Sequence, residues 1–220
     1  MQLFPSNATL DDKVQIAIIY VLRFSAFLAL AYSMIVLNYY HIANGLVALI
    51  LLFIPEFIER KYKVKLPVEY SFAIVAFVFG SIVLGELRGF YTKYSWWDDL
   101  LHSTSGVLLG FAGFITLYWL KSNKKLHASD FVISFFAFTV AMTIAVFWEI
   151  FEFVADQSIA TNLQLGSLND TMLDLIIASI GAAFSAALGY RFLSQANRKG
   201  LFARLVYNFT EVNEKKRRHN

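Results

Sequence analysis

Trp96-Trp97-Asp98-Asp99-Leu100-Leu101-His102 opens a run that stays apolar as far as Leu120. Two acids and a histidine thus stand at the mouth of a segment that can cross a bilayer, since about 20 apolar residues in a helix span the hydrocarbon. Five further apolar runs lie outward from it, over residues 14–37, 42–58, 68–87, 131–154 and 171–193. The 42–58 run is the shortest and carries Pro55 near its end; a turn is expected at Asn38-Tyr39-Tyr40-His41. With 99–120 as the fourth span, the pattern predicts an all-α membrane protein, a polytopic bundle of about six transmembrane helices.

Composition supports the same solvent. Of 220 residues 58% are hydrophobic, 17% aromatic and 16% charged, and the mean hydropathy is +0.56. A globular domain is roughly a quarter charged, and a soluble core of this size would leave much of the apolar surface in water. The absence of cysteine excludes disulfides, thiolate metal sites and cysteine nucleophiles. A net charge of +3 does not indicate nucleic acid, because the lysines and arginines sit in short loops and in the tail. No secretory signal is expected: Asp11, Asp12 and Lys13 precede a run too long for a signal core.

The loop charges orient the bundle. Lys13, the cluster from Arg60 to Lys65, Lys121 to Lys125 and the tail from Arg191 fall on one side of alternating helices; Arg88 and Lys93 fall on the other. Short basic loops remain in the cytoplasm, so both termini are expected there. The chain is divided accordingly into a cytoplasmic N-terminus (1–13), a six-helix domain (14–193) and a basic amphipathic tail (194–220). In the tail, residues 201–207 are short and amphipathic. They either lie in the headgroup plane beside Lys215-Lys216-Arg217-Arg218, where anionic lipid would attract them, or belong to a disordered end.

With that orientation the special acids share one level near the outer surface. Asp98, Asp99 and His102 begin the fourth span, Glu149 and Glu152 are near the end of the fifth, and Asp170 and Asp174 begin the sixth. Glu86 and Arg88 end the third. Asp98 and His102 are four residues apart, as are Asp170 and Asp174, and Glu149 and Glu152 are three apart, so each pair shares a helical face. Gly106 and Gly110, and Gly181, Ser185 and Gly189, continue the fourth and sixth spans at the four-residue spacing that lets helix backbones approach.

Crowded carboxylates repel and require a proton or a cation. Carboxylates with one imidazole suit a divalent ion such as Mg, Mn, Ca or Zn, which makes Asp98, His102, Glu149, Asp170 and Asp174 the candidate metal ligands. Without a metal, His102 with Glu149 or Glu152 is the candidate acid–base set. The structural alternative is that Asp98, Asp99 and Asp170 cap helix N-termini. That leaves His102 and Asp174 unexplained a turn further in. It also leaves Glu149 and Glu152 near a helix C-terminus, where negative charge is unfavourable. Arg23 lies about nine residues into the first span, near mid-depth. It either faces inward to a carboxylate or phosphate or extends to the cytoplasmic surface. Arg23 and Trp148, beside Glu149, are candidate substrate contacts. Trp96, Trp97 and Trp119 read as interfacial belt residues, and His41, His127 and His219 carry no role.

Trp97-Asp98-Asp99-Leu100-Leu101-His102 followed by small residues, Trp148-Glu149-Ile150-Phe151-Glu152, and Asp170-Thr171-Met172-Leu173-Asp174 followed by Gly181 resemble the YjdF-like bacterial inner-membrane proteins. That family is distantly similar to the VanZ-like proteins, known for a link to glycopeptide resistance. The resemblance covers the last three spans by motif and the first three by hydropathy. It implies a multi-pass protein of the bacterial plasma membrane and brings no settled activity. Asp98, His102, Glu149, Glu152, Asp170 and Asp174 match the shared polar positions. Ala178 stands where the VanZ-like pattern often has a polar residue, which weakens any transfer of VanZ-like chemistry.

Three functions are therefore open. The first is a metal-dependent enzyme or binding protein for a lipid-linked or small envelope ligand. The second is a small proton- or cation-coupled transporter. The third is a structural or partner-binding membrane protein. Membrane lipid is the expected surrounding, nucleic acid is not a partner, and the sequence assigns no oligomeric state.

Overall fold

A computed structural model describes residues 8–159, 168–195 and 199–218. The N-terminal residues through Asn7, residues 160–167 between the fifth and sixth apolar runs, and His219 lie outside the described residues. So do the side chains of the run Lys215 to Arg218.

The described residues form helices and no strand. They are α1 (Leu10–Ile35), α2 (Tyr39–Leu51), α3 (Ile54–Lys61), α4 (Val68–Val78) with a π-helical continuation (Phe79–Leu87), α5 (Phe90–Lys93), α6 (Trp97–Ser122), α7 (Asp130–Ile159), α8 (Leu168–Ser194) and α9 (Leu201–Arg218). Five spans are long and apolar enough to cross a membrane, and the α2–α3 pair makes a sixth if it counts as one. Large side chains such as Phe27, Phe147 and Phe184 are more than half exposed, as side chains are when lipid rather than protein covers them.

The chain divides into two compact units. One holds the residues through Tyr94 together with those from Leu205 onward; the other is Ser95–Arg204. In the first unit, Ile19, Ala26, Ala48, Leu52, Val75, Val78 and Val83 form the core where α1, α2 and the third span meet. Thr9 and Asp12 close a capping box at the start of α1. Asn38 does not sit in a turn through His41. It caps α2 by accepting the His41 backbone N–H, so Tyr39, Tyr40 and His41 are helical.

The second expected span is not one straight helix. It breaks between Leu51 and Ile54 and bends by 41°, because Pro55 supplies no N–H and fits only the first turn of a new helix. Arg23 occupies the break. Its Nε and Nη2 donate to the freed Leu52 carbonyl at 3.2 and 2.8 Å. Nη2 also reaches Glu56 at 2.7 Å, and the guanidinium lies 4.4 Å from the Phe53 ring centre.

The tail also differs from expectation. The helix expected over 201–207 extends to Arg218, and in the first unit its Val206, Phe209 and Asn213 are buried. The Asn213 side chain accepts from Lys65 N–H at 2.7 Å and donates to Lys65 C=O at 2.9 Å. Protein covers this face of the helix.

In the second unit α6, α7 and α8 each pack on the other two. Small residues set the closest approach. A Cβ on Gly106 would lie 2.3 Å from the Ala178 carbonyl oxygen, and one on Gly181 would lie 2.2 Å from that of Ser103. The other end is filled by rings: Phe114, Tyr118, Phe192 and Phe202 meet edge-on, tilted or stacked.

Candidate functional site

The small-residue seam lies one turn from a polar cluster. Because α6 and α8 touch at Gly106 and Gly181, His102 on α6 and Asp174 on α8 are brought face to face. His102 is buried at 8% exposure, Asp174 at 2% and Glu149 at 4%. His102 Nε2 lies 3.5 Å from Asp98 Oδ1 and 3.8 Å from Asp174 Oδ1, while its Nδ1 lies 3.9 Å from Glu149 Oε1. Three helices thus aim one carboxylate each at the two edges of a single imidazole.

These separations are longer than ordinary hydrogen bonds, which end near 3.2 Å for N–H to oxygen. Neither Glu149 oxygen has a hydrogen bond among the described residues, although both are buried; the same holds for Asp174 Oδ2. A buried carboxylate without such compensation is costly. The ligand-capable atoms of Asp98, His102 and Asp174 all lie within 4.8 Å of one another. Around a tetrahedral ion with bonds of about 2.0–2.1 Å, ligand atoms are ~3.4 Å apart. The two Nε2–carboxylate separations are within a few tenths of an ångström of that edge. On the other side of the ring, Glu149 stands where a carboxylate orients a metal-binding histidine through its second nitrogen.

The charge around the cluster is one-sided. From residue 126 to residue 190, and from 94 to 120, the chain has no lysine or arginine. Lys121 is at the far end of α6 and Arg191 at the far end of α8, roughly 25–28 Å along the helix from His102 and Asp174. Lys121 is paired there with Asp130 at 2.8 Å.

The remaining candidates are placed less centrally. Glu152 is half-buried and accepts from Trp148 Nε1 at 2.9 Å. Trp148 itself is exposed and touches Phe151 rather than the cluster's imidazole in its ring contacts. Asp170 is half-buried in the first turn of α8, one turn before Asp174. Asp99 is half-buried beside Asp98. Arg23 is in the first unit, held by Leu52 and Glu56. Glu86, also in that unit, accepts from the Tyr40 hydroxyl at 2.6 Å.

Two expectations about helix ends are corrected. Asp98 and Asp99 are not caps: α6 begins at Trp97, its N-cap is Trp96, and no side chain makes the capping bond. Glu149 is not in a last turn, because α7 runs to Ile159, about 15 Å beyond it; the unfavourable end of the helix dipole therefore does not act on it directly. Ser185 was legible only as a small residue in the seam. Its hydroxyl is buried with no hydrogen bond, a feature that spacing alone does not reveal.

The chain matches the family described as predicted membrane protein (DUF2238) over residues 17–195. It is 31% identical over 144 residues to an uncharacterised protein of Thermotoga maritima, an overlap of 63% of this chain and 71% of that one. No solved structure matches it. The matched stretch includes every helix from α2 to α8 and all four residues of the imidazole cluster, and the chain belongs to the DUF2238 family of membrane proteins.

Proposed function

We propose that this is a multi-pass protein of the bacterial inner membrane, with both termini cytoplasmic, that binds a divalent cation through Asp98, His102 and Asp174. In this reading Glu149 orients the imidazole from its Nδ1 side. The protein uses the site as a metal-dependent enzyme or binding protein for a lipid-linked envelope ligand. The observation that carries the cation is three buried carboxylate oxygens without hydrogen bonds, both of Glu149 and Oδ2 of Asp174, on side chains whose other contacts converge on one histidine. The donor set, one imidazole nitrogen and carboxylate oxygens, suits Zn or Mn better than a thiophilic ion. Bound there, the ion would supply Lewis-acid polarisation or an activated water. Glu152, the nearest further carboxylate on α7, is the candidate proton acceptor. A YjdF-like lineage, distantly similar to VanZ-like proteins, is part of the same proposal and rests on the three motifs.

The test is elemental analysis of gently purified protein alongside His102→Ala and Glu149→Gln. A stoichiometric metal in the parent, absent from His102→Ala, is expected. Glu149→Gln keeps the shape and removes a buried charge. In metal-free buffer it should raise the melting temperature, while its metal affinity falls about 10–100-fold. A parent purified with no metal, and taking none up on titration, removes the cation and leaves the transport reading. That alternative predicts flux in proteoliposomes that depends on Glu149 or Glu152.

A further inference from the structure

In the first unit, a cleft of about 310 Å³ is lined by Glu56, Glu59, Arg60, Lys63 and Lys65. We infer that this cleft binds the phosphate of an anionic phospholipid headgroup, with the acyl chains lying along the neighbouring face of α3.

Charge supports it first. Counting Arg23, which is bound to Glu56, four cations face two carboxylates, a surplus of two positive charges. Both acids are already satisfied. Glu56 holds Arg23 at 2.7 Å, and Glu59 accepts from Lys65 Nζ at 2.7 Å and from Leu66 N–H at 2.9 Å. Arg60, exposed on the cleft wall, makes no ion pair among the described residues. The guanidinium is the side chain best shaped for a phosphate. Lys63 contributes from a strained position. Its φ is 55°, in the left-handed region at a helix end, where glycine or asparagine is the usual occupant. Placing a lysine there costs backbone energy and fixes an ammonium at the cleft.

Apolar surface then distinguishes a lipid from a free anion. Phe53, Phe57 and Tyr62 are 50%, 60% and 64% exposed. Phe53 and Phe57 lie on the helical face adjacent to Glu56 and Arg60. Lys61 extends its ammonium to within 5.4 Å of the Phe57 ring centre and 5.8 Å of that of Tyr62, as a side chain does at a membrane–water boundary. The break at Leu52 turns α3 away from α2, so a short amphipathic helix presents rings to lipid and bases to the cleft. The volume is at the lower end for a small-ligand site; it admits a headgroup and leaves the chains outside.

The test uses the full chain purified in a neutral detergent. Native mass spectrometry would measure retention of dioleoyl phosphatidylglycerol and dioleoyl phosphatidylcholine, and inorganic phosphate would serve as competitor. The parent should retain one phosphatidylglycerol in preference to phosphatidylcholine. Arg60→Ala and Lys63→Ala should each weaken it about fivefold, the effect of one basic residue at a charged lipid surface. Lys124→Ala with Lys125→Ala should leave it unchanged. Equal retention of both lipids, equal loss in the Lys124/Lys125 variant, or unchanged retention in Arg60→Ala would overturn the assignment. So would displacement by inorganic phosphate at the affinity of the lipid, since the site would then be one for the free anion. Melting curves without added lipid separate loss of binding from loss of fold.

Discussion

Gly106→Ala tests whether the helix seam sets the geometry of the imidazole cluster. The added methyl would lie 2.3 Å from the Ala178 carbonyl oxygen and 2.9 Å from the Ala182 nitrogen, where ordinary contact begins at 3.4 Å. Both neighbours are backbone, so no side chain can move aside. The helices must separate by about 1 Å, an overpacking cost of roughly 1–3 kcal/mol. Alanine's better helix propensity returns up to about 1 kcal/mol, leaving a net loss of ~0–2 kcal/mol. The effect on the site is larger than the effect on the fold. Gly106 is one turn from His102, and Ala178 one turn from Asp174. The same separation takes Nε2 and Oδ1 from 3.8 Å to nearly 5 Å, beyond what one ion can bridge. A misplacement of about 1 Å in a ligand set costs on the order of a hundredfold. The assay is equilibrium titration of metal-stripped protein with Zn or Mn in detergent, with melting curves in parallel. Gly189→Ala is the control. Its methyl meets the Phe114 ring at 2.4 Å, so it also strains the seam, but fifteen residues along α8 from Asp174, about 22 Å away. If Gly106→Ala melts lower and binds metal as the parent does, or if Gly189→Ala loses as much affinity, the coupling of seam to site is wrong.

Two further outcomes concern the first unit. Arg23→Met keeps an unbranched apolar stem and removes three donor contacts, leaving the buried Leu52 carbonyl without its partner. It should cost about 1–3 kcal/mol, read as a lower melting temperature. Adding Glu56→Gln should recover less than half, because Glu56 is 40% exposed and water replaces the lost arginine there. Asn213→Ala removes the bonds to both backbone groups of Lys65 and to Phe209 C=O. It should speed tryptic cleavage after Lys65 at least severalfold, without changing cleavage in the loop at Lys124 and Lys125.

Hydropathy was enough to read the long spans, because lipid demands a continuous apolar run and the run is a local property. Features closed by distant partners were not legible. The break at Leu52 depends on Pro55, visible in the sequence, and on Arg23, 29 residues earlier, whose guanidinium replaces the hydrogen bond lost there. Asn213 reads as one polar residue in a charged tail until Lys65, 148 positions away, lies against it. In the cluster, four-residue spacing placed Asp98 with His102 on one face of α6. It did not rank Glu149 above Glu152. A three-residue step rotates the side chain by about 60°, and that rotation leaves the first buried and the second bonded to Trp148.

The geometry also weighs among the three functions. A cluster kept only to tie helices together gains by closing its hydrogen bonds, because a half-satisfied buried network is worse than an apolar one. Lys121 and Asp130 show such closure at the basic end, at 2.8 Å. At the acidic end the same three helices hold carboxylates 3.5–3.9 Å from an imidazole, with buried oxygens left over and the lysines and arginines of α6 and α8 at the opposite helix ends. One protonated histidine offers two N–H groups, too few for three carboxylates. On the reading proposed above the shortfall is met by a cation, and a species that approaches from outside the fold is what separates a binding site from a structural tie.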